Sequence, residues 1–272
     1  MKKTLLAATL AAAVSGAFAA DVTLYGVADV GLRYTNTKTD GVSTDKLEMM
    51  SGHNAGSRFG LKGSEDLGNG WKAGFQLEGQ YLVDTGALKN AKFFHRQATV
   101  SISGPLGTVY AGRMGTLSSA AGPADLIFAA GDAFDGGDNL IYALSVESRR
   151  DNTLLYVTPA AGGLQGYLQY SFQGGGEENA QSSLNERYMG AGLRWKAGAF
   201  ESALAVEHVR YAAAADDVKG ALDDKLAVSL AANYDFGVTK LFGTAQWVQG
   251  GDNFGAVSDY TARGLDGWAV EA

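Results

Sequence analysis

Charged side chains recur at alternate positions of otherwise apolar segments, which indicates an electrostatic rather than a covalent function. On each such segment one face is apolar and the opposite face is polar. The charged positions on the polar faces are Asp29, Arg33, Arg58, Lys62, Lys72 and Glu78. Charges that line one surface create a field that favours ions of one sign. These six residues are therefore the first functional candidates.

Residue patterns typical of metal or covalent chemistry are missing. The chain has no Cys, and His53, His95 and His208 are far apart without the His or Glu spacing of a zinc site. It contains no Gly-x-Ser-x-Gly elbow, Walker loop or dinucleotide fingerprint, and Gly174-Gly175-Gly176 is placed in a polar connection rather than before a helix. The sequence predicts no metal, no cofactor and no enzymatic activity.

Composition restricts the class of protein. The 272 residues include 38 Gly, 3 Pro, 46% hydrophobic and 19% charged residues, so the chain is neither disordered nor a disulfide scaffold. The glycines have no collagen-like period and indicate an ordered architecture rich in strands. A net charge of −7 argues against a nucleic-acid partner, which needs a basic surface.

Residues 1–19 have the pattern of a cleaved secretory signal peptide. Lys2 and Lys3 precede an apolar run over 5–14, and Ala17-Phe18-Ala19 supplies small residues for cleavage after Ala19 or Ala20. The alternative is a membrane anchor, but the run is shorter than the ~20 residues that span a bilayer. We therefore expect an exported protein.

Period-two alternation dominates the rest of the chain. A first strand is predicted over 22–34, with Val22, Leu24 and Leu32 on one face and Thr23 and Arg33 on the other. Similar strands are predicted over 71–81, 164–172, 226–236 and 240–249. The first is longer than the ~5–6 residues usual in soluble proteins and suits the ~9–11 tilted residues that cross a bilayer.

The connections alternate between tight turns and long polar stretches. The predicted turns are 64–70, 104–107, 159–163, 196–198 and 236–238, and the long connections are 35–56, 82–93, 115–151, 173–186, 211–224 and 250–257. This alternation is typical of an outer-membrane β-barrel, with short turns at one rim and long loops at the other. A soluble β-sandwich is the alternative, but it has little reason to sort its connections by end.

Aromatic residues near segment ends fit the same prediction. They are Tyr34, Trp71, Tyr81, Tyr170, Tyr234 and Trp247. Barrels carry aromatic girdles at both membrane interfaces, although ordinary cross-strand pairing also enriches aromatic residues in strands.

Several stretches resemble the general porins of Gram-negative outer membranes, in the branch with neisserial and related trimeric porins. The most specific is Ser-Arg-Phe-Gly-Leu-Lys-Gly-Ser-Glu-Asp-Leu-Gly-Asn-Gly-Trp-Lys-Ala over 57–73, which is similar to the family's second strand, turn and third strand. The mature start over 21–26 and the segments 96–101, 107–113 and 234–238 are also similar. The resemblance covers the whole chain after the leader.

The resemblance implies an all-β, antiparallel transmembrane β-barrel over residues 20–272. Family members have sixteen strands, whereas we find about twelve strand candidates. The chain ends at Val270-Glu271-Ala272 without the family's terminal aromatic residue. We therefore expect that about four C-terminal strands are missing, and a complete twelve-stranded barrel is the alternative.

The resemblance also implies a constriction. By alternation the six charged residues above point into the lumen, and the family's third loop, here about 115–151, folds into it. Its acidic side would be Asp125, Asp132, Asp135 and Asp138. Positions matching the family's basic wall are Arg58, Arg96 and Arg149, with Arg113 and Arg150 close in sequence. Strict alternation places Arg96 on the outer face with Ala98 and Val100, so its lumenal position requires a bulge.

The implied function is a water-filled channel in the outer membrane for passive diffusion of ions and small hydrophilic solutes. We expect mild anion preference, because selectivity follows charge at the constriction rather than the net charge. The implied partners are outer-membrane lipid and two further copies of the chain in a homotrimer. The alternatives are a barrel hydrolase, although no spacing joins His95 or His208 to a catalytic Ser, and an adhesin-type barrel without an open pore.

Overall fold

The computed structural model describes residues 21–39, 41–52, 55–119, 122–131, 149–211, 224–250 and 267–271, and these are almost entirely β-strand. The strands are β1 (Asp21–Val27), β2 (Val30–Thr39), β3 (Val42–Ser51), β4 (Arg58–Gly68), β5 (Trp71–Gln80), β6 (Gln97–Gly104), β7 (Gly107–Gly115), β8 (Arg149–Val157), β9 (Leu164–Ser171), β10 (Arg187–Ala197), β11 (Phe200–Arg210), β12 (Lys225–Asp235), β13 (Lys240–Gln249) and β14 (Gly267–Glu271). One short helix, α1 (Ile127–Gly131), and one 3-10 turn (Ser182–Leu184) complete them. None of the helical segments in these ranges has the length and hydrophobicity to cross a membrane.

Twelve strands form one antiparallel sheet in the order β1-β4-β5-β6-β7-β8-β9-β10-β11-β12-β13-β14. From β4 onward each strand pairs with its neighbour in sequence, which is the up-and-down order of a porin barrel. β1 and β14 are the two edges of this sheet and do not pair with each other within the described residues. The predicted all-β antiparallel class is confirmed.

The N-terminal region differs from the prediction of one strand over 22–34, which is wrong. The backbone breaks at Ala28 and Asp29, because the Asp29 amide donates to Ser57 Oγ (2.9 Å) and the Asp29 carbonyl accepts from the Gly52 amide (2.9 Å). Within the described ranges, β2 and β3 then pair only with each other. The predicted loop over 35–56 is therefore largely a two-stranded hairpin.

The turns and long connections alternate as predicted. Asn69 and Gly70 join β4 to β5 with positive φ angles of 53° and 78°, a conformation that favours Asn and Gly. Tight turns also join β6 to β7, β10 to β11 and β12 to β13. The connections on the opposite rim are long, and 251–266 in the last of them lies outside the described residues.

The two faces of the sheet differ in polarity, as the alternation predicts. Large apolar side chains on the outer face are exposed, for example Leu24 (73%), Leu168 (60%) and Leu241 (59%). The inner face carries polar side chains, among them Gln97, Thr99, Gln169 and Gln246. An apolar outer face with a polar inner face is the arrangement of a membrane barrel.

Candidate functional site

Strands β1, β4, β5 and β6 bring the first group of charged residues together on the inner face. In the register Gly60 lies opposite both Tyr25 and Glu78, and Glu78 lies opposite Gln97. Directly opposite residues of antiparallel strands share a face. Because Gly60 has no side chain, the Tyr25 ring can cross above it toward Glu78.

Glu78 is the centre of this group. Its Oε1 is 2.5 Å from Arg96 Nε, its Oε2 is 4.0 Å from Arg58 Nε, and the Tyr25 hydroxyl donates to Oε2 at 2.8 Å. Gln76 Nε2 in turn donates to the Tyr25 hydroxyl at 2.8 Å. Charge-assisted hydrogen bonds of this kind fix the orientation of a guanidinium group.

Arg96 contacts Glu78 without the β-bulge that strict alternation predicts. β6 begins at Gln97, so Arg96 precedes the strand and is not subject to its alternation. Its amide donates to the Glu78 carbonyl at 3.1 Å, which keeps the two residues adjacent.

A second group is centred on Asp151. Its Oδ1 is 2.5 Å from Arg113 Nη1, and its Oδ2 accepts from Lys92 and, at 2.8 Å, from the Gly176 amide. Arg113 Nε also donates to the His95 carbonyl at 2.7 Å. Asp151 therefore connects β7 to the two long connections that carry Lys92 and Gly176.

Arg149 and Arg150 are adjacent in sequence but contact different residues. Arg149 Nε donates to the Arg96 carbonyl at 3.1 Å, so Arg149 belongs with the first group. Arg150 is only 1% exposed, pairs with Glu186 and lies 5.8 Å from the centroid of the Tyr188 ring. Arg150 is thus held within the wall.

His95 lies buried between the two groups, in the connection before β6. Burial, followed by the positive charges of Arg149, Arg96 and Arg113, lowers the pKa of His95 to about 4, and Glu78 opposes this shift. His95 is therefore neutral at pH 7. Four arginines, Arg58, Arg96, Arg113 and Arg149, surround this region together with two carboxylates, those of Glu78 and Asp151.

Residues 116–119 and 122–131, called the loop segment below, follow β7 and pack against the inner face of the sheet. Leu117, Leu126 and Ile127 are fully buried there in one apolar cluster with wall residues Leu155 and Ala205. Wall positions opposite the segment are small: a Cβ added to Gly192 would lie 2.5 Å from Leu126 Cδ2. The inner face of β8–β12 therefore provides a footprint for this segment.

Hydrogen bonds hold the same segment to the wall. The buried Tyr188 hydroxyl accepts from the Leu117 amide at 3.3 Å and donates to Glu207 Oε1 at 2.6 Å. Glu207 Oε1 also accepts from the Ser118 amide at 3.4 Å. At the far end of the segment, Asn233 Nδ2 donates to the Ala130 carbonyl at 2.8 Å.

The remaining predicted site residues make other contacts. Asp29 Oδ2 accepts from the Ala55 amide at 2.8 Å, and Arg33 pairs with Glu48 on the β2–β3 hairpin. Lys62 Nζ lies 5.4 Å from the centroid of the Tyr25 ring. Lys72 is exposed near the β4–β5 turn, opposite Ser103.

The predicted acidic side of the constriction is largely outside the described residues. Asp125 Oδ1 accepts from the Ala129 amide at 3.1 Å and so caps α1. Asp132, Asp135 and Asp138 lie outside the described residues.

Sequence reasoning did not single out Tyr25, Lys92, Asp151, Tyr188 or Glu207. Alternation would have placed Tyr25 on the inner face, and Tyr188 and Glu207 also follow the inward parity of their strands. Asp151 carried no such signal, because the register shifts between Gly112 and Met114 where β7 pairs with β8. No group of three or more potential ligands among the described residues could hold a metal ion.

Comparisons with known proteins agree with this geometry. A family model described as Gram-negative porin matches residues 7–271. Outer membrane porin protein 32 of Delftia acidovorans is 33% identical over 252 residues, covering 90% of this chain and 69% of the relative. A major outer membrane protein P.IB of Neisseria lactamica is 34% identical over 185 residues, covering 67% of this chain and 53% of the relative.

A solved structure is similar in both fold and sequence. It is the anion-selective porin from Comamonas acidovorans, with a TM-score of 0.63 and 30% identity, covering 85% of this chain and 68% of that chain. This chain therefore spans about two thirds of that structure and about half of the neisserial relative.

Proposed function

Because this chain belongs to the Gram-negative porin family, we propose that Arg58, Arg96, Arg113 and Arg149 give its channel a weak preference for anions. The protein is an outer-membrane porin for passive diffusion of ions and small hydrophilic solutes, and it is not an enzyme.

The observation that carries the proposal is the excess of guanidinium groups. Among the described residues, four arginines surround two carboxylates, Glu78 and Asp151. Charges close to a narrow water-filled passage determine its selectivity more than the net charge of −7 does. This proposal agrees with the name of a solved relative, the anion-selective porin from Comamonas acidovorans.

We assign the narrowing of the channel to the loop segment, residues 116–119 and 122–131. It occupies the inner face of β8–β12, while Arg58 and Arg96 lie beside β4–β6 and outside this footprint. A loop packed inside a barrel reduces the passage to the space between it and the facing wall. Asp125 supports the loop as a helix cap, and Asp132, Asp135 and Asp138 remain candidates for its acidic side.

The other predicted residues take secondary roles. Lys62 lies on the inner face with Gln76 and Thr99, and Lys72 lies on the same face closer to the turn rim. Both would add positive charge along the route to the narrowing. Asp29 and Arg33 would act near the opposite mouth.

We also propose that residues 1–19 are removed as a signal peptide and that 20–272 form the barrel domain. Lys2 and Lys3, the apolar run and the small residues before Ala20 support this division. N-terminal sequencing of the protein from outer membranes tests it. Asp21 or Ala20 at the N-terminus is expected, and Met1 there would contradict it.

A homotrimer is the proposed assembly. The outer face of β4–β7 carries an apolar groove of about 550 Å³ in which small residues, Gly63, Ala73 and Ala111, lie among Phe75 and Ile102. Apolar surface with alternating large and small side chains packs well against another protein surface. Native mass spectrometry should give three chains per particle, and a purely monomeric spectrum would contradict the trimer.

Passive diffusion is tested by the swelling of liposomes that contain the full chain. In isotonic solutions of uncharged solutes, swelling should be fast for a pentose and progressively slower for a disaccharide and a trisaccharide. Liposomes without protein provide the baseline. Equal rates for all solutes at that baseline would contradict an open diffusion channel.

A further inference from the structure

Two arginines lie directly opposite each other on the outer face of the sheet. Arg187 of β10 pairs in register with Arg210 of β11. Their neighbours Tyr188 and Val209 are buried on the inner side, so both arginines point outward. Like charges at directly opposite positions destabilise a sheet, and an anion bound between them would remove this cost.

Among the described residues, few negative charges lie near the pair. Arg187 Nη2 donates to the Ser182 carbonyl at 3.2 Å, and Arg210 has no ion pair within the described part of the chain. One carboxylate is near: Asp224 Oδ2 lies 3.8 Å from Nε2 of His208, which is on the same outer face. His208 Nδ1 is buried and has no hydrogen-bond partner among the described residues.

An apolar groove begins at the same place. It has a volume of about 610 Å³ and is lined by His208 together with Leu154, Leu168, Tyr170, Met189 and Val206. Met189 and His208 face each other two positions along the outer face from Arg187 and Arg210, and the groove extends from them across β9 and β8 toward β7. The basic cluster therefore lies beside one end of this apolar groove on the outer surface.

This cluster lies at the rim of the long connections. The 173–186 and 211–224 stretches join the strands at that end, whereas the tight turn at Gly198 closes the other end of β10 and β11. At this rim the outer face meets the headgroups of the membrane, and the apolar groove meets the acyl chains.

We propose that Arg187, Arg210 and His208, with the groove below them, form a binding site for a membrane lipid with a phosphate on its headgroup. The two guanidinium groups would hold the phosphate by charge-assisted hydrogen bonds, and an acyl chain would fill the groove. Charge complementarity selects the phosphate, and the adjoining apolar groove selects a lipid over a free anion. The site lies on the outside of the barrel and does not depend on selectivity in the lumen.

The test counts lipids bound to the full chain by native mass spectrometry in an uncharged detergent. The probe is dipalmitoyl phosphatidic acid, compared with dihexanoyl phosphatidic acid and with uncharged diacylglycerol. The variant Arg187→Gln/Arg210→Gln removes the cluster. The control Arg33→Gln/Lys46→Gln removes the same two charges from the β2–β3 hairpin.

The proposal expects one tightly retained long-chain phosphatidic acid per chain, bound about tenfold more weakly by the cluster variant and unchanged in the control. The short-chain and uncharged lipids should bind more weakly to the wild type. Arg187→Lys/Arg210→Lys should keep most of the affinity, which separates charge from folding effects. Equal losses in both Gln variants, no loss in either, or equal binding of diacylglycerol would each overturn the site.

Discussion

Glu78 illustrates how one carboxylate can organise a basic surface without neutralising it. It contacts Arg96 and Arg58 while the Tyr25 hydroxyl occupies the other side of Oε2. Arg58, Arg96 and Glu78 together therefore keep a net charge of +1, and the two guanidinium groups keep a fixed orientation. The sequence predicted the charged residues themselves, but not Tyr25 as their support or Asp151 as a second centre, since these depend on side-chain contacts between distant segments.

Arg58→Glu should shift ion preference toward cations. A two-charge change about 8 Å from a permeating ion in water is worth about 1 kcal/mol, or roughly fivefold in relative permeability. The zero-current potential in a KCl gradient measures this shift. Arg33→Glu makes the same charge change on the hairpin and should have a much smaller effect; equal shifts in the two variants would remove Arg58 from the narrowing.

His95 should make the stability of the protein pH-dependent. Its pKa is about 4 in the folded protein and near 6.5 when unfolded, so the unfolded chain binds a proton first as the pH falls. The free energy of unfolding therefore keeps its full value above pH 6.5. It decreases as the pH falls toward 4, by at most about 3 kcal/mol.

Denaturant unfolding between pH 7 and pH 4 measures this effect. His95→Gln should have a flatter stability profile over that range than the wild type. Parallel profiles for wild type and His95→Gln would show that His95 does not contribute.

At the scale of the element, the position of the loop segment depends on small residues of the sheet and on two buried polar side chains. Gly192 and Ala205 allow the backbone and Leu126 to approach, and Tyr188 and Glu207 accept hydrogen bonds from the segment's amides. The resemblance predicted that a loop enters the lumen. Its footprint was not predicted, although small residues at inward positions of β10 and β11 were a visible signal.

Tyr188→Phe should loosen this segment. The substitution keeps the ring and removes the hydroxyl, leaving the Leu117 amide and Glu207 without that contact at a cost of about 1–3 kcal/mol. Larger current fluctuations in the open channel and faster proteolysis within 116–131 are expected. Tyr156→Phe also removes one hydroxyl hydrogen bond, that to the Leu106 carbonyl, but on the outer face near the end of β8, and is the control. Identical noise and cleavage in both variants would contradict the anchoring role.

The alternation of polar and apolar residues predicted most strands, because a membrane sheet must separate lipid from water along every strand. It failed at Ala28 and Asp29, where the Asp29 amide donates to Ser57 Oγ and the Ser57 hydroxyl donates to the Asp29 carbonyl, so that the chain turns into the β2–β3 hairpin. It also failed for Arg96, because the strand starts one residue later. Period-two patterns do not reveal where a strand begins or ends.

The faces of β6 can be tested with two adjacent positions. Val100 is 60% exposed on the apolar outer face, and Ser101 lies on the inner face with Thr99 and Tyr110. Val100→Lys should lower the free energy of unfolding by ~2–4 kcal/mol, whereas Ser101→Lys should mainly increase anion preference. Urea unfolding in lipid vesicles and zero-current potentials distinguish the two, and similar losses of stability would contradict the assigned faces.

At the scale of the whole molecule, the two sheet edges are the main structural requirement. β1 and β14 each present an unpaired edge within the described residues. Unpaired backbone groups in hydrocarbon cost several kcal/mol each, so the membrane-embedded form must pair both edges. The proposed anion preference requires that closed form, in which the arginine groups and the loop segment would lie in the same lumen.

The most direct test is the zero-current potential of the full chain in a planar bilayer under a KCl gradient. We predict stable stepwise openings and a potential of the sign set by chloride, which reverses or collapses in Arg58→Glu. A wild-type potential of the sign set by potassium would contradict the proposed anion preference.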